Sequence, residues 1–330
     1  MLAAWFDTFG EPSKVIKTGE FPNPTPEQGE VLVQLHASGV NPSDVKKRAG
    51  AFPNLLDDGA VVPHSDGAGV ITAVGAGVDS SRIGERVFVY QAQYGRLHGT
   101  AAEYVAIDSR RAPVLPDQAS FEIGACIGIP IMTAHRCVHA DGPVAGQWVL
   151  VTGGAGRVGY YAIQWARLAG AKVIATASNA ADTELCLSLG AEHVVNHREP
   201  GWGEQILRYT GGTKLDRVID VEFGANLSEV LSCIRVGGVI ATYSSTVVAE
   251  PTLPFKTMMF MDLSIRMVIV YAMPEDAKIA AVADTQKALS ENLLQHRIAH
   301  ILPLEETARS HDLIEKGGFG GCVVIRCIKP

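Results

Sequence analysis

The sequence predicts an α/β chain built around a doubly wound parallel sheet. Beyond about residue 123, short Val/Ile runs alternate with Ala-rich helical stretches, which is the spacing of strand–helix–strand units. One strand-to-helix junction carries glycines at Gly154, Gly156 and Gly159, a spacing that suits a tight turn opening a helix. Glycine is also in excess: 34 of 330 residues, against an average of about 7%. No collagen period and no Gly/Ser linker absorbs these glycines, so they serve local backbone needs.

The first third reads as β structure. Val31–His36 alternates in part, Gly69–Val74 ends at Gly75, and Arg86–Tyr90 is a short apolar run. Gly, Pro, Asn and Asp separate these runs. Gly39, Gly67, Gly69, Gly75, Gly77 and Gly84 are read as turn positions among them. Then the texture changes. Trp148–Val151 is a buried strand, Val158–Ala169 a helix closed by Gly170, and Lys172–Thr176 a strand. Asp182–Leu189 is a helix closed by Gly190, and His193–Val195 a strand. Asp216–Asp220 and Gly238–Tyr243 continue the strand series. Near residue 265 the texture changes again, to a helix around Asp276–His296, the run Ile301–Leu304, a helix at Thr307–Lys316 and a last strand at Cys322–Arg326.

Composition narrows the function. Hydrophobic residues make up 47% and charged residues 19%, enough to build a large core and too apolar for a disordered chain. The net charge of −7 argues against nucleic acid as a main partner. The six cysteines are scattered, with no C-x-x-C pair, so they are expected as buried free thiols in a reducing compartment. The N-terminus lacks a basic stretch leading into a long apolar run. Met258–Tyr271 is apolar but holds Asp262 and Arg266 and is too short to span a bilayer. The expectation is a soluble, cytoplasmic protein with no membrane partner.

The glycine junction points to a dinucleotide. A buried strand precedes it and an amphipathic helix follows, the setting in which G-x-G-x-x-G holds a pyrophosphate at a helix N-terminus. Gly154 is expected to permit the turn, Gly156 to let the backbone approach the phosphates, and Gly159 to let helix and strand pack. The end of the second strand chooses between cofactors. An NAD site places Asp or Glu there, whereas this strand ends at Ser178-Asn179 and the first acid is Asp182. Ser178 as a donor and Arg198, after the third strand, as a counter-charge favour the 2′-phosphate of NADPH.

Several further segments, in this order and spacing, carry a resemblance. They are Ser38–Asp44, Pro63–Gly69, Gly84–Phe88, Ala102–Tyr104, Gly128–Ala134, the glycine junction and Asn196–Glu199. Over nearly its whole length the chain resembles the zinc-independent, zeta-crystallin-like quinone oxidoreductases of the medium-chain dehydrogenase/reductase superfamily. The resemblance implies a GroES-like β-barrel catalytic domain from residues 1–123, completed by residues 266–330. A Rossmann NADPH-binding domain from 124–265 lies between, with the active site in the cleft. Zinc alcohol dehydrogenases place a Cys ligand where this chain has Asn41, a His-Glu pair at Ser65 and Asp66, and a Cys at Ile129. Neither Asn nor Ile suits a tetrahedral zinc site, and no metal is expected. His135 and His139, one helical turn apart, read as ordinary residues.

Without a metal, direct hydride transfer to an electron-poor acceptor is the expected reaction, and NADPH-dependent reduction of a quinone or α,β-unsaturated carbonyl the expected activity. By resemblance, Asn41 sits near the nicotinamide or substrate oxygen and Thr133 beside the nicotinamide ring. Gly154, Ala155, Gly156, Arg157, Val158 and Gly159 cover the pyrophosphate, and Ser244 or Ser245 approaches the ribose. Where relatives often carry pocket tyrosines this chain has Lys46 and Phe52, and Lys46 becomes a candidate to stabilise a developing enolate or phenolate. Relatives pair through the edge of the Rossmann sheet, so a homodimer or homotetramer through Met258–Tyr271 is expected, although that segment also suits an internal core strand. The competing readings are an alcohol dehydrogenase with a displaced metal and a non-enzymatic NADPH-binding protein of the crystallin or RNA-binding kind.

Overall fold

A computed structural model describes residues 1–328. Fourteen strands are present among them. Six come first: β1 (Leu2–Trp5), β2 (Lys17–Glu20), β3 (Glu30–Val40), β4 (Asp66–Val74), β5 (Arg86–Val89) and β6 (Tyr104–Asp108). The next six alternate mostly with helices: β7 (Trp148–Val151), β8 (Lys172–Ala177), β9 (His193–Asn196), β10 (Leu215–Asp220), β11 (Ile234–Thr242) and β12 (Ser264–Met267). The last two are β13 (Ile298–Pro303) and β14 (Cys322–Arg326). The chain divides into two compact units. One holds Met1–Ile129 and the chain from Val282 onward, and the other holds Pro130–Ala281.

The first unit is β-rich. Its main sheet runs β13-β14-β3-β4-β5, with β6 also pairing to β3. All pairs are antiparallel except β13 with β14. Strand β3 shows why it forms: Val31, Val33 and Leu35 are buried while Leu32, Gln34 and His36 between them are not, the period-two pattern of a half-buried strand. Those residues pack with Ile71, Val87, Val105, Val323 and Ile325 in one core. Fully burying each such side chain contributes about 1.5–3 kcal/mol. Gly39, Gly67 and Gly69 lie inside β3 and β4 rather than in turns. Their value is close approach, since a Cβ on Gly69 would lie 1.9 Å from the carbonyl oxygen of Gln34. The turn glycines are Gly77 and Gly84, with φ of +84° and +93°.

The second unit is the doubly wound sheet. Its strand order is β12-β11-β10-β7-β8-β9, all parallel. The helices Arg157–Leu168, Ala180–Ser188, Trp202–Tyr209 and Phe223–Cys233 connect successive strands. Order reverses between β7 and β10, so the crevice beyond their carboxyl ends is the expected ligand position. The sequence texture puts the end of this unit near residue 265, whereas the compact unit runs on to Ala281. The texture change near 265 falls inside β12, which pairs with β11 from Val239–Ser264 to Thr242–Met267.

Candidate active site

The crevice between β7 and β10 is framed by the glycine junction. Strand β7 leads into Thr152, whose hydroxyl donates to Asp220 Oδ1 at the end of β10 (2.7 Å) and accepts from the Val221 N–H (2.9 Å). These bonds tie the two strand ends together. Burial pushes the Asp220 carboxyl up, while Thr152 and Asn226 donate to it and oppose the shift. Neither Thr152 nor Asp220 is visible as a pair in sequence, because 68 residues separate them.

Each glycine then has a distinct task. Gly153 makes the turn, with φ of +60°, a role the sequence assigns to Gly154. Gly154 instead allows packing: a Cβ there would meet Cys186 Sγ, Ala175 Cβ and Ile163 Cδ1 at 2.8–2.9 Å. Gly159 does the same against backbone, with the Gly153 carbonyl oxygen 2.3 Å from its ideal Cβ. Gly156 is exposed and caps the helix Arg157–Leu168 with no side chain of its own. The N–H groups of Arg157, Val158 and Gly159 therefore open that helix, next to the half-buried Ala155. This is a cradle of backbone donors that a side chain at Gly156 would begin to fill, and a pyrophosphate fits it.

Pairing of Ala177 with Asn196 places the ends of β8 and β9 side by side. Ser178, half-buried, and Arg198, exposed, follow at that same sheet edge. Asn179 caps the next helix by accepting from the Asp182 N–H at 2.9 Å. No carboxylate caps β8 itself. At the end of β11, Ser244 and Ser245 line a cavity of about 440 Å³ with Phe223, Tyr243, Leu253 and Val268. The Ser245 hydroxyl is already committed, donating to the Val248 carbonyl (2.5 Å) and accepting from the Gly224 N–H (2.9 Å). Thr133 is buried in the helix Ile129–His139. In the same helix, the rings of His135 and His139 lie 4.4 Å apart, both edge-on to Trp165.

In the first unit, Asn41 stands at the start of the helix Pro42–Arg48. Its N–H donates to Asp44 Oδ2 (2.8 Å) and its side-chain Nδ2 to Asp66 Oδ2 (2.9 Å). Asp66 is fully buried and also accepts from the Ile129 N–H (2.8 Å). Lys46 is not brought to this cluster, because it is exposed. Helical spacing explains this: the buried face that holds Asp44 continues at Lys47 and Arg48, three and four residues on. Lys47 Nζ donates to the carbonyl (2.6 Å) and Oε1 (2.8 Å) of Gln93. Burial pushes the Lys47 ammonium down, with Asp44 and Asp66 opposing. The signal that distinguishes Lys47 from Lys46 is the phase from Asp44. Among the described residues, no group of three His, Cys, Asp or Glu side chains is placed to hold a metal.

Residues 27–117 match the alcohol dehydrogenase GroES-like domain and residues 158–286 the zinc-binding dehydrogenase family. The human quinone oxidoreductase is 33% identical over 96% of this chain and 95% of its own. The chain belongs to the quinone oxidoreductases of the medium-chain dehydrogenase/reductase superfamily. Among solved structures, an NAD-dependent alcohol dehydrogenase aligns with a TM-score of 0.87 at 30% identity, covering 99% of each chain. A mycobacterial protein complexed with NADPH aligns with a TM-score of 0.87 at 26% identity, covering 99% of this chain and all of that one. Both units thus have the family's architecture, a GroES-like domain and a Rossmann domain.

Proposed function

We propose that this protein transfers hydride from NADPH to a quinone, or to the β-carbon of an α,β-unsaturated carbonyl, without a metal. The observation that carries the reading is the end of β8. Ser178 stands where an NAD site wants a carboxylate, and Arg198 follows the neighbouring strand at the same edge. A small polar residue and a cation suit a 2′-phosphate, which a carboxylate would repel. Arg157, Val158 and Gly159 hold the pyrophosphate through backbone N–H groups, Gly154 and Ala155 shape the turn, and Ser244 and Ser245 flank the ribose.

Bound NADPH supplies the hydride. The protein orients the acceptor and excludes water. Asn41 has one Nδ2 hydrogen committed to Asp66 and offers the other to the acceptor's oxygen, while Thr133 fixes the nicotinamide face. Lys46, exposed to solvent, is assigned no chemical step. A saturated alcohol would need a base or a metal to ionise its hydroxyl, whereas an electron-poor acceptor asks only that Asn41 bind its oxygen. The likeness to an NAD-dependent alcohol dehydrogenase makes that the reading to test against. We place the protein in the cytoplasm as a homodimer or homotetramer, with no nucleic-acid or membrane partner.

Steady-state reduction of a quinone by NADPH and by NADH tests the cofactor assignment. NADPH is expected to give the higher kcat/KM. Arg198→Ala and Ser178→Ala are expected to raise KM for NADPH, roughly tenfold for the arginine, and to leave KM for NADH unchanged. A preference for NADH in the natural protein would overturn it.

A further inference from the structure

Hydride addition turns a neutral quinone or enone into an anion. The charge beside the oxygen that receives it therefore matters. In the proposed reaction Asn41 meets that oxygen, and the role inferred for its neighbour Asp66 rests on that reading. Asp66 stands behind Asn41, and its two carboxyl oxygens are treated differently. Oδ2 accepts from Asn41 Nδ2 (2.9 Å) and from the Ile129 N–H (2.8 Å). Oδ1 is buried and has no hydrogen-bond partner. It lies against Gly128, where a Cβ would come within 2.1 Å of it. The absence of a side chain there packs Oδ1 away from water.

A carboxylate spreads its charge over both oxygens, and a dry anionic oxygen without a donor is strongly disfavoured. A proton on Oδ1 removes that charge. It leaves Oδ2 as a carbonyl oxygen, still able to accept both N–H groups. We infer that Asp66 works as a neutral carboxylic acid, protonated on Oδ1, that positions the Asn41 amide without setting a negative charge beside the oxygen that gains one. It is a positioning residue, since it acts through Asn41.

The surroundings agree. From the helix Pro42–Arg48, Asp44 and Lys47 face Asp66. From the helix that begins at Ile129, the contact is a backbone N–H. Burial outweighs the opposing Ile129 and Asn41 hydrogen bonds and the Lys47 charge, and with Asp44 pushes the Asp66 carboxyl up to about 8. The Asp66 main chain is fixed by a directed run of hydrogen bonds. Thr100 Oγ1 donates to the Asp66 carbonyl (2.6 Å), so it accepts from Ser38 Oγ (2.7 Å). Ser38 Oγ accepts in turn from His64 Nδ1 (2.8 Å), and His64 Nε2 accepts from His311 Nε2 (3.0 Å). Burial pushes His64 down to about 3 and His311 well below its usual value. Both are neutral, so neither titrates near the pH at which Asp66 loses its proton.

Carboxyl carbon-13 resonances of labelled aspartate, in the natural protein and in Asp66→Asn, test the proton directly. The resonance missing from the variant is expected to keep a neutral-acid shift at neutral pH and to titrate near pH 8 in the natural protein. Titration with the ordinary aspartates near pH 4 would overturn the inference. Quinone reduction by NADPH between about pH 6 and pH 9.5 tests the role. In the natural enzyme kcat/KM is expected to fall above about pH 8, by roughly tenfold, as the buried charge appears. Asp66→Asn keeps an acceptor for Asn41 and cannot ionise, so the fall should vanish. Asp66→Ala lacks the acceptor and should be slow at every pH. An Asp66→Asn enzyme that still loses rate above about pH 8, or is as slow as Asp66→Ala at neutral pH, would overturn the role. A natural enzyme that reduces no quinone would instead overturn the functional reading, and the protonation state would then be decided by the resonance alone.

Discussion

Gly154 and Gly156 stand two residues apart in one loop and answer to different pressures. Alanine at Gly154 meets a thiol, a methyl and an isoleucine from three elements at under 3.0 Å. That is overpacking, and its cost is about 1–3 kcal/mol of stability. Alanine at Gly156 meets only the Gly153 carbonyl oxygen, at 3.1 Å, and projects toward the phosphate cradle. Gly154→Ala is therefore expected to lower the melting temperature, and Gly156→Ala to weaken NADPH binding with little thermal change. Thermal unfolding and fluorescence titration of NADPH separate the two, and equal thermal losses would refute the distinction. At this scale the sequence was only partly legible. The G-x-G-x-x-G spacing marks the loop, but which glycine turns and which packs depends on Cys186 and Ala175, brought there by other strands and helices. Lys46 and Lys47 are adjacent and chemically alike, and only the phase of the helix from Asp44 sends one inward and the other to solvent.

Several strands were legible from their apolar patterns, whereas β1 and β6 were not. The period-two alternation of β3 and the Val/Ile runs of β7, β8 and β10 announce themselves, because the hydrophobic effect writes the same pattern in sequence and in structure. Helix Trp202–Tyr209 was not legible, being short and anchored mainly by Trp202 and Ile206. Met258–Tyr271 was ambiguous and resolves into parts: the helix Phe255–Phe260, the edge strand β12, and a one-turn helix at Val270–Ala272. Strand β12 pairs on one side only within its sheet. Met267 and Ile269 are 72% and 56% exposed. A sheet edge flanked by exposed apolar side chains is open to pairing with a second copy. Sedimentation at micromolar concentration is expected to show an oligomer that Met267→Lys with Ile269→Lys converts to monomer. A monomeric natural protein would reject this.

At the scale of the whole molecule, the sequence changes texture near residues 123 and 265, and the compact unit built on the doubly wound sheet runs from Pro130 to Ala281. The excess of glycine resolves at this scale into three uses: turns at Gly77, Gly84 and Gly153, close backbone approach at Gly39, Gly69 and Gly159, and an open helix start at Gly156. In the proposed reaction Ser178 and Arg198, at the ends of β8 and β9, take the 2′-phosphate, and Asn41, held by Asp66, meets an acceptor that needs no ionisation.

The most direct test is NADPH-dependent quinone turnover by protein dialysed against a strong chelator, with zinc content measured on the same sample. Turnover is expected to survive, within about twofold, in protein holding far less than one zinc per chain. Stoichiometric zinc in the natural protein, with turnover lost on its removal and regained on its return, would contradict metal-independent hydride transfer.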